Sequence, residues 1–505
     1  MSTRHSSKAL LMTFGAVLAL SACGGNGADR VASPGEGAFP PPPPTAPPPS
    51  NPPPSEPPPS EPPPSGPAAS CPEGFRNIGT IADFRACELP ERIIGELTVP
   101  KAAGTVYAIN GAVHVGEDMG GDAAAPRAGA REGILNIEAG VTLYASAGPD
   151  ALIVNRGSKI YALGTAEEPI IMTAKIDVEG GATAETEGRW GGLVLAGRAP
   201  VNTCIGDFQP GTAQCETRIE GGDLGMYGGN SATDNSGTVQ YMQIRYSGFA
   251  FSGGNELQGL TMGGVGSGTT IEYVQVHNSS DDGIEIFGGT VNGRRIVVTG
   301  ASDDSLDIDS MWSGAVQFGI VVQRDSTGDN MNEWSGTNSS NTIPLTAEQY
   351  SNPHVANFTY VGRAGGSSGN GSGFTVNLGS RAEIYNTVVT RKPGGTGKGL
   401  TCLSVETPER GSTATLESVF FACPENFNNE AAEAAFTAGV NTVAGNSTLT
   451  SVFVNGANES AVPAAANLPG KHPFLQQVDY IGGVKDANDT WWQGWTCGLT
   501  ADKPC

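Results

Sequence analysis

Val274-Gln275-Val276-His277-Asn278-Ser279-Ser280-Asp281-Asp282-Gly283-Ile284-Glu285-Ile286 is followed closely by Ile296-Val297-Val298-Thr299-Gly300-Ala301-Ser302-Asp303-Asp304-Ser305-Leu306-Asp307-Ile308. Laid on one another, Ser-Asp-Asp matches Ser-Asp-Asp, Glu285 matches Asp307, and Ile284 and Ile286 match Leu306 and Ile308, at an offset of 22 residues. A 22-residue period with two β-branched strands is too short for a βαβ unit and longer than a hairpin repeat needs. It suits one coil of a parallel β-helix, each coil stacking on the one before. The fold expected is all-β: a single-stranded, right-handed parallel β-helix with coils of about 22 residues and loop insertions.

Outward from this stretch the same plan continues. Val239-Gln240-Tyr241-Met242-Gln243-Ile244-Arg245-Tyr246 matches Ile271-Glu272-Tyr273-Val274-Gln275-Val276-His277-Asn278 at an offset of 32, residues 248–268 supplying an inserted loop. Upstream, residues 133–144 and 152–162 each read strand, glycine turn, strand; 169–173 and 190–195 are further strands, and alternating residues 106–115 are expected to open the helix. Residues 200–236 and 324–353 read as excursions from the coil. Strands are expected at 316–323, 358–361, 382–390, 414–421 and 448–454. Roughly ten to thirteen coils at about 4.8 Å each follow. The β-helix is assigned to residues 71–490. Residues 491–505, with Trp491, Trp492 and Trp495, are expected to cap its open end, since an uncapped sheet edge invites aggregation.

Composition agrees. Glycine is 72 of 505 residues and charged residues are 16%, a balance that favours short strands and tight turns over amphipathic helices. Net charge is −23, so a nucleic-acid partner is excluded for want of a basic face. An acidic polysaccharide is disfavoured too, unless metal ions bridge. Of nine cysteines, eight fall into the sequence-local couples Cys71/Cys87, Cys204/Cys215, Cys402/Cys423 and Cys497/Cys505. None has CxxC spacing, so zinc is a weak reading and disulfides the stronger one. Neighbour pairing is one of many connectivities. Cys402 and Cys423, 21 residues apart, have the spacing for adjacent rungs.

The N-terminus reads as an export signal over residues 1–22: Arg4 and Lys8, then an apolar run from Ala9 to Leu20. Leu20-Ser21-Ala22-Cys23 resembles the lipobox of bacterial lipoproteins, which implies acylation of Cys23 and, with Gly24 following, the outer membrane. Residues 23–70 form the lipidated N-terminus and a proline-rich stalk containing two Pro-Pro-Pro-Ser-Glu units. In polyproline II geometry such a stalk spans on the order of 80 Å. Residues 133–144, 150–173, 189–200, 255–282 and 478–496 resemble, in order, a family of exported bacterial lipoproteins. That resemblance implies a right-handed β-helix body and an outer-membrane transport or secretion system as partner, and it brings no catalytic residues. Lipobox and stalk together resemble extracellular lipoproteins exported by type II secretion in alphaproteobacteria, including a kind made under phosphate starvation.

Chemistry concentrates in the repeated acids. In a 22-residue register Asp281 stacks on Asp303, Asp282 on Asp304 and Glu285 on Asp307, placing carboxylates about 5 Å apart on an outward acidic face. Like charges at that distance raise one another's pKa or take a counter-ion. Hard oxygen ligands suit Ca²⁺, so these six residues are the candidate metal ligands, with Asp309 a further acid. The plainer reading is that they cap turns by accepting backbone N–H bonds. The same carboxylates offer the separation a retaining glycosidase needs. Polygalacturonase-type β-helices carry an Asp-Asp pair too, but their Gly-His-Gly and Arg-Ile-Lys elements are missing here. Pectate-lyase-type sites use calcium with an arginine base; Arg245, Arg294, Arg295 and Arg324 are near in sequence, none singled out by spacing. His277 is a candidate base or a plain surface histidine. GxSxG and HExxH are absent, and the glycines of residues 263–268 lack the lysine and helix of a phosphate loop. The expectation is a surface-anchored or extracellular lipoprotein that binds or scaffolds an outer-membrane or secreted partner, with a polysaccharide lyase or glycoside hydrolase as the alternative.

Overall fold

A computed structural model describes residues 66–220, 224–252, 255–364, 371–394, 400–406, 411–500 and 502–505. The signal peptide at 1–22, Cys23 and the stalk up to residue 65 lie outside the described residues.

Two long parallel sheets wind around one apolar lumen. Sheet A has 16 strands and sheet B has 11. The 22-residue echo sets the register as read from sequence: Val274 pairs with Ile296, and Glu285 with Asp307. The 32-residue offset holds too, Val239 pairing with Ile271. Alternate residues turn inward, as a strand's two-residue period requires. Leu152, Leu193, Leu260, Ile284 and Leu306 stack down the lumen in sheet B and are all buried.

Sheet A carries a bend. In the early coils it is two strands side by side: Gly133–Ile137 stacks on Lys159–Leu163, and Thr142–Ala145 on Ile170–Ala174. Strand Gly237–Arg245 continues both stacks at once, its first half on Lys159–Leu163 and its second on Ile170–Ala174. The fusion needs a one-residue corner, and that residue is left-handed in every later coil: Tyr241, Tyr273, Arg295, Phe318, Asn357, Asn386 and Ser418, with φ between 45° and 64°. Each such conformation costs a side-chain-bearing residue about 1–2 kcal/mol. Stacking offsets part of it: the Tyr241 and Tyr273 rings lie 4.1 Å apart, and the Arg295 guanidinium sits 4.7 Å from the Tyr273 centroid.

Several details differ from the sequence expectation. Parallel coiling starts one rung before residues 106–115, at Phe84–Glu88 and Arg92–Ile93, and Arg76–Ile81 closes this end antiparallel. The folded body starts before Cys71, since Ala68 N–H donates to Gly104 O and Arg85 Nε to Ala68 O. Residues 324–353 are not wholly an excursion: Asn332–Ser335 is a sheet B rung between Leu306–Asp309 and Ser372–Asn377. Residues 448–454 form no strand, only one antiparallel bridge between Thr450 and Val454.

The largest difference is the cap. Helix Glu430–Ala438, not the tryptophan segment, covers the C-terminal end of the lumen. Its Ala432 joins the core and its Phe436 packs on Phe421 and Phe427. The tail instead lies along the outside of sheet A, where Trp495 is buried among Val297, Ile320 and Val361. A lumen only a few side chains wide has room for an alanine-rich helix; three indoles need a broad apolar face, and the outer side of sheet A provides one. All four neighbouring cysteine couples are disulfides, and Cys402–Cys423, Cα–Cα 5.5 Å, joins adjacent rungs.

Candidate metal centre

The acids occupy turns that carry the chain from sheet A to sheet B, and the first outward position of sheet B. Three columns result. Asp281, Asp303 and Asp329 stack at the turn; Asp282, Asp304 and Asn330 stack beside them; Glu285, Asp307 and Glu333 stack on sheet B, with Thr375 beyond.

The middle column does cap turns. Asp282 Oδ1 accepts the Asp304 N–H at 2.9 Å, and Asp304 Oδ1 accepts the Asn330 N–H at 2.7 Å. Asn330 Oδ1 in turn accepts the Ser372 N–H at 3.0 Å. A neutral asparagine fills the third place, so the capping role needs an acceptor and no charge. The charge at Asp282 and Asp304 is left to be explained, as is that of the flanking columns.

Those columns draw together into three carboxylate triads: Asp281, Asp282 and Asp303; Asp282, Glu285 and Asp307; Asp303, Asp304 and Asp329. Within each, one oxygen per residue lies within 4.8 Å of the others. Asp282 and Asp303 are shared, so the triads form a linked row. All six residues picked out by sequence belong to it. Asp329 was not picked out, because its coil is lengthened: Leu306 pairs with Asn332 at a spacing of 26 rather than 22, and the echo is lost.

The acidic face is not an open one, contrary to expectation. Asp281, Asp282, Glu285 and Asp304 are each at most 7% exposed. Two excursions cover them. Residues 200–229 pack Cys215, Ile219 and Tyr227 onto the outer face of sheet B against Ile153, Val194 and Phe287. The hairpin of Phe249–Ser252 and Asn255–Leu257 leads into Gln258, whose Nε2 donates to Glu220 and to Asp281 at 3.3 Å each. Glu220 and Glu256 thereby join the cluster from loops that carry no repeat to announce them.

Burial among like charges governs the electrostatics. Desolvation, then Glu256, pushes the Asp281 carboxyl up to about 9. Asp282, Glu285, Asp304 and Asp307 are pushed well above the ordinary carboxylate range by burial and then by one another and their acidic neighbours. Burial raises Asp309 to about 7 even though its Oδ1 accepts the Ser310 N–H. Bare, the cluster holds protons; to be ionised it needs a cation.

The other candidates are engaged elsewhere. Arg245 pairs with Asp177, Arg295 with Glu272 and Arg324 with Glu187, while Arg294 lies over the Phe474 ring. His277 is buried in sheet A, where its Nδ1 meets Thr299 Oγ1 at 2.8 Å; burial, then Arg245 and Arg324, lowers it to about 3. It is no surface histidine.

Residues 124–496 match the family model described as a pectate-lyase-like β-helix domain. The chain belongs to that family. No curated protein and no solved structure matches it. The pectate-lyase-like domain takes in the whole acidic row, both covering excursions and the tail through Thr496. An all-carboxylate, all-oxygen donor set fits a hard divalent cation of the calcium type, which takes six to eight oxygens, and does not fit zinc, which prefers nitrogen and sulfur.

Proposed function

We propose that this protein is an exported lipoprotein whose β-helix binds calcium along the acidic row and, through it, the carboxylates of an anionic polysaccharide. It acts as a binding or scaffolding factor for an outer-membrane or secreted partner. The observation that carries the reading is the linked row itself: seven carboxylates in three triads, shifted toward protonation by burial and by other carboxylates. A calcium ion replaces those protons, restores the charged form and leaves coordination positions for ligand oxygens. It also explains how a chain of net charge −23 holds an acidic glycan. Acylation at Cys23 would hold the protein at the outer membrane, with the stalk setting its reach. Radiolabelled palmitate incorporated into the wild type and not into Cys23→Ser would support the anchor.

The decisive experiment is titration of the folded protein with calcium in a calorimeter, followed by binding to polygalacturonate and to a neutral glucan. Binding to the anionic polymer that EDTA abolishes supports the reading. Binding that EDTA leaves intact, or no uptake of calcium, removes it.

A second reading is enzymatic, favoured by family membership and by Glu285 and Asp307 on adjacent rungs, near the roughly 5–5.5 Å separation of a retaining glycosidase. A lyase would need an arginine base, and the four arginines considered from sequence are engaged elsewhere. Release of oligosaccharides by the wild type and not by Glu285→Gln would establish this alternative.

A further inference from the structure

Away from the acidic row, a cavity of about 710 Å³ opens beside sheet A. Its floor is made of Tyr246, His277 and Thr299, at the ends of successive strands, with Arg324 beside them; one wall is residues 182–185 and the other is Gly498 and Leu499 of the tail.

The tail belongs to no coil. Buried side-chain amides hold it through its main chain. Gln275 clasps Cys497 from both sides, Nε2 donating to its carbonyl at 2.6 Å and Oε1 accepting its N–H at 3.0 Å. Gln317 clasps Gln476 in the same way at 2.8 and 2.7 Å. Gln243 donates to the Trp495 carbonyl and Asn357 to that of Tyr480. Held like this, Gly498 lies directly over His277. A Cβ added at Gly498 would stand 2.7 Å from the imidazole Cε1, and φ is +68°, so only glycine fits the approach. Beyond it the Cys497–Cys505 disulfide folds the chain end back on the residue that Gln275 grips.

We propose that Trp495, Cys497, Gly498 and Leu499 form a lid over this cavity, fastened by the Cys497–Cys505 disulfide and released by its reduction. Release consumes one external dithiol. Two electrons and two protons pass from it to the two cysteine sulfurs, which become thiols, and the dithiol leaves as its own disulfide. With the fastener open the main-chain clasps exchange with water, Gly498 lifts from His277, and the floor is open to small polar ligands.

The probe is diethyl pyrocarbonate, which acylates accessible neutral imidazoles, with modification at each histidine read by mass spectrometry. In the oxidised wild type His277 should react slowly. In Cys497→Ser/Cys505→Ser it should react at least about tenfold faster, the size expected for a local opening, with His114 unchanged. In a second arm, wild type treated briefly with dithiothreitol and then iodoacetamide should show Cys497 and Cys505 alkylated before Cys402 and Cys87, which are fully buried. The proposal is overturned if His277 is no faster in the double variant, if His114 accelerates with it, or if Cys402 or Cys87 is alkylated first.

Discussion

Removing calcium should make this protein less stable as pH rises, the reverse of the usual behaviour of an acidic protein. Asp281 titrates near 9 in the folded chain against an ordinary 3.8. Between those values the folded state holds a proton that the unfolded state has released. Stability is therefore full below about pH 4 and declines as pH climbs toward 9, at about 1.4 kcal/mol per pH unit for each such proton. From pH 5 to pH 7 Asp281 alone costs about 3 kcal/mol. Asp282, Glu285, Asp304 and Asp307 shift in the same direction and steepen the decline. Calcium at 100 times its Kd returns about 2.7 kcal/mol, and more at high pH, where fewer protons compete for the oxygens. The assay is thermal unfolding followed by circular dichroism at pH 5, 6, 7 and 8, in EDTA and in excess calcium. The Tm in EDTA should fall with pH and the calcium increment should grow with it. A Tm in EDTA that is flat or rising over this range, or a calcium increment equal at pH 5 and pH 8, refutes the reasoning.

Three further outcomes follow. Asp304→Asn keeps the acceptor that Asn330 supplies on the next coil, so it should raise Tm in EDTA at pH 8 while weakening calcium binding by calorimetry; Asp304→Ala leaves the buried Asn330 N–H unmet and should cost about 1–3 kcal/mol by urea unfolding. Asn386→Leu puts a branched residue at the left-handed corner, φ 45°, and removes the acceptor of the Ala465 N–H, so urea unfolding should show a loss of about 2–4 kcal/mol, of which Asn386→Gly should recover the backbone share. Phe436→Ala strips the lumen cap from Phe421 and Phe427, and sedimentation should then show concentration-dependent association through the exposed end, with the wild type unchanged.

What was legible in the sequence was whatever successive coils repeat. The echo at residues 274–308 fixed register, lumen positions and six of the seven triad acids, because identical residue types one coil apart must occupy the same angular place. Where a coil changes length the signal fails. Asn332–Ser335 looks like loop, since its residues are polar and its offset is 26, yet the stacking of Leu306 on Asn332 continues sheet B. Covering segments were illegible for another reason. Nothing in the spacing of Trp491, Trp492 and Trp495 says which surface they pack on, and only three-dimensional stacking makes Val297, Ile320 and Val361 one continuous apolar face. Glu220 and Glu256 reach the acids from such segments, and so the burial that governs the cluster's titration could not be read from the chain.

The one-residue corner of sheet A divides the molecule into a part that evolution can edit and a part it cannot. Spacing between paired residues runs from 22, at Val274 and Ile296, through 32, at Val239 and Ile271, to 39, at Gly319 and Phe358. All of that variation lies outside the corner, because a second residue there would swing half of the strand out of register. Insertions are confined to the turns that flank sheet B, and those turns carry the acids and their covering loops. Selection can lengthen, shorten or replace the recognition rim while the wound frame beneath it stays the same, much as a loom keeps its warp while the pattern changes.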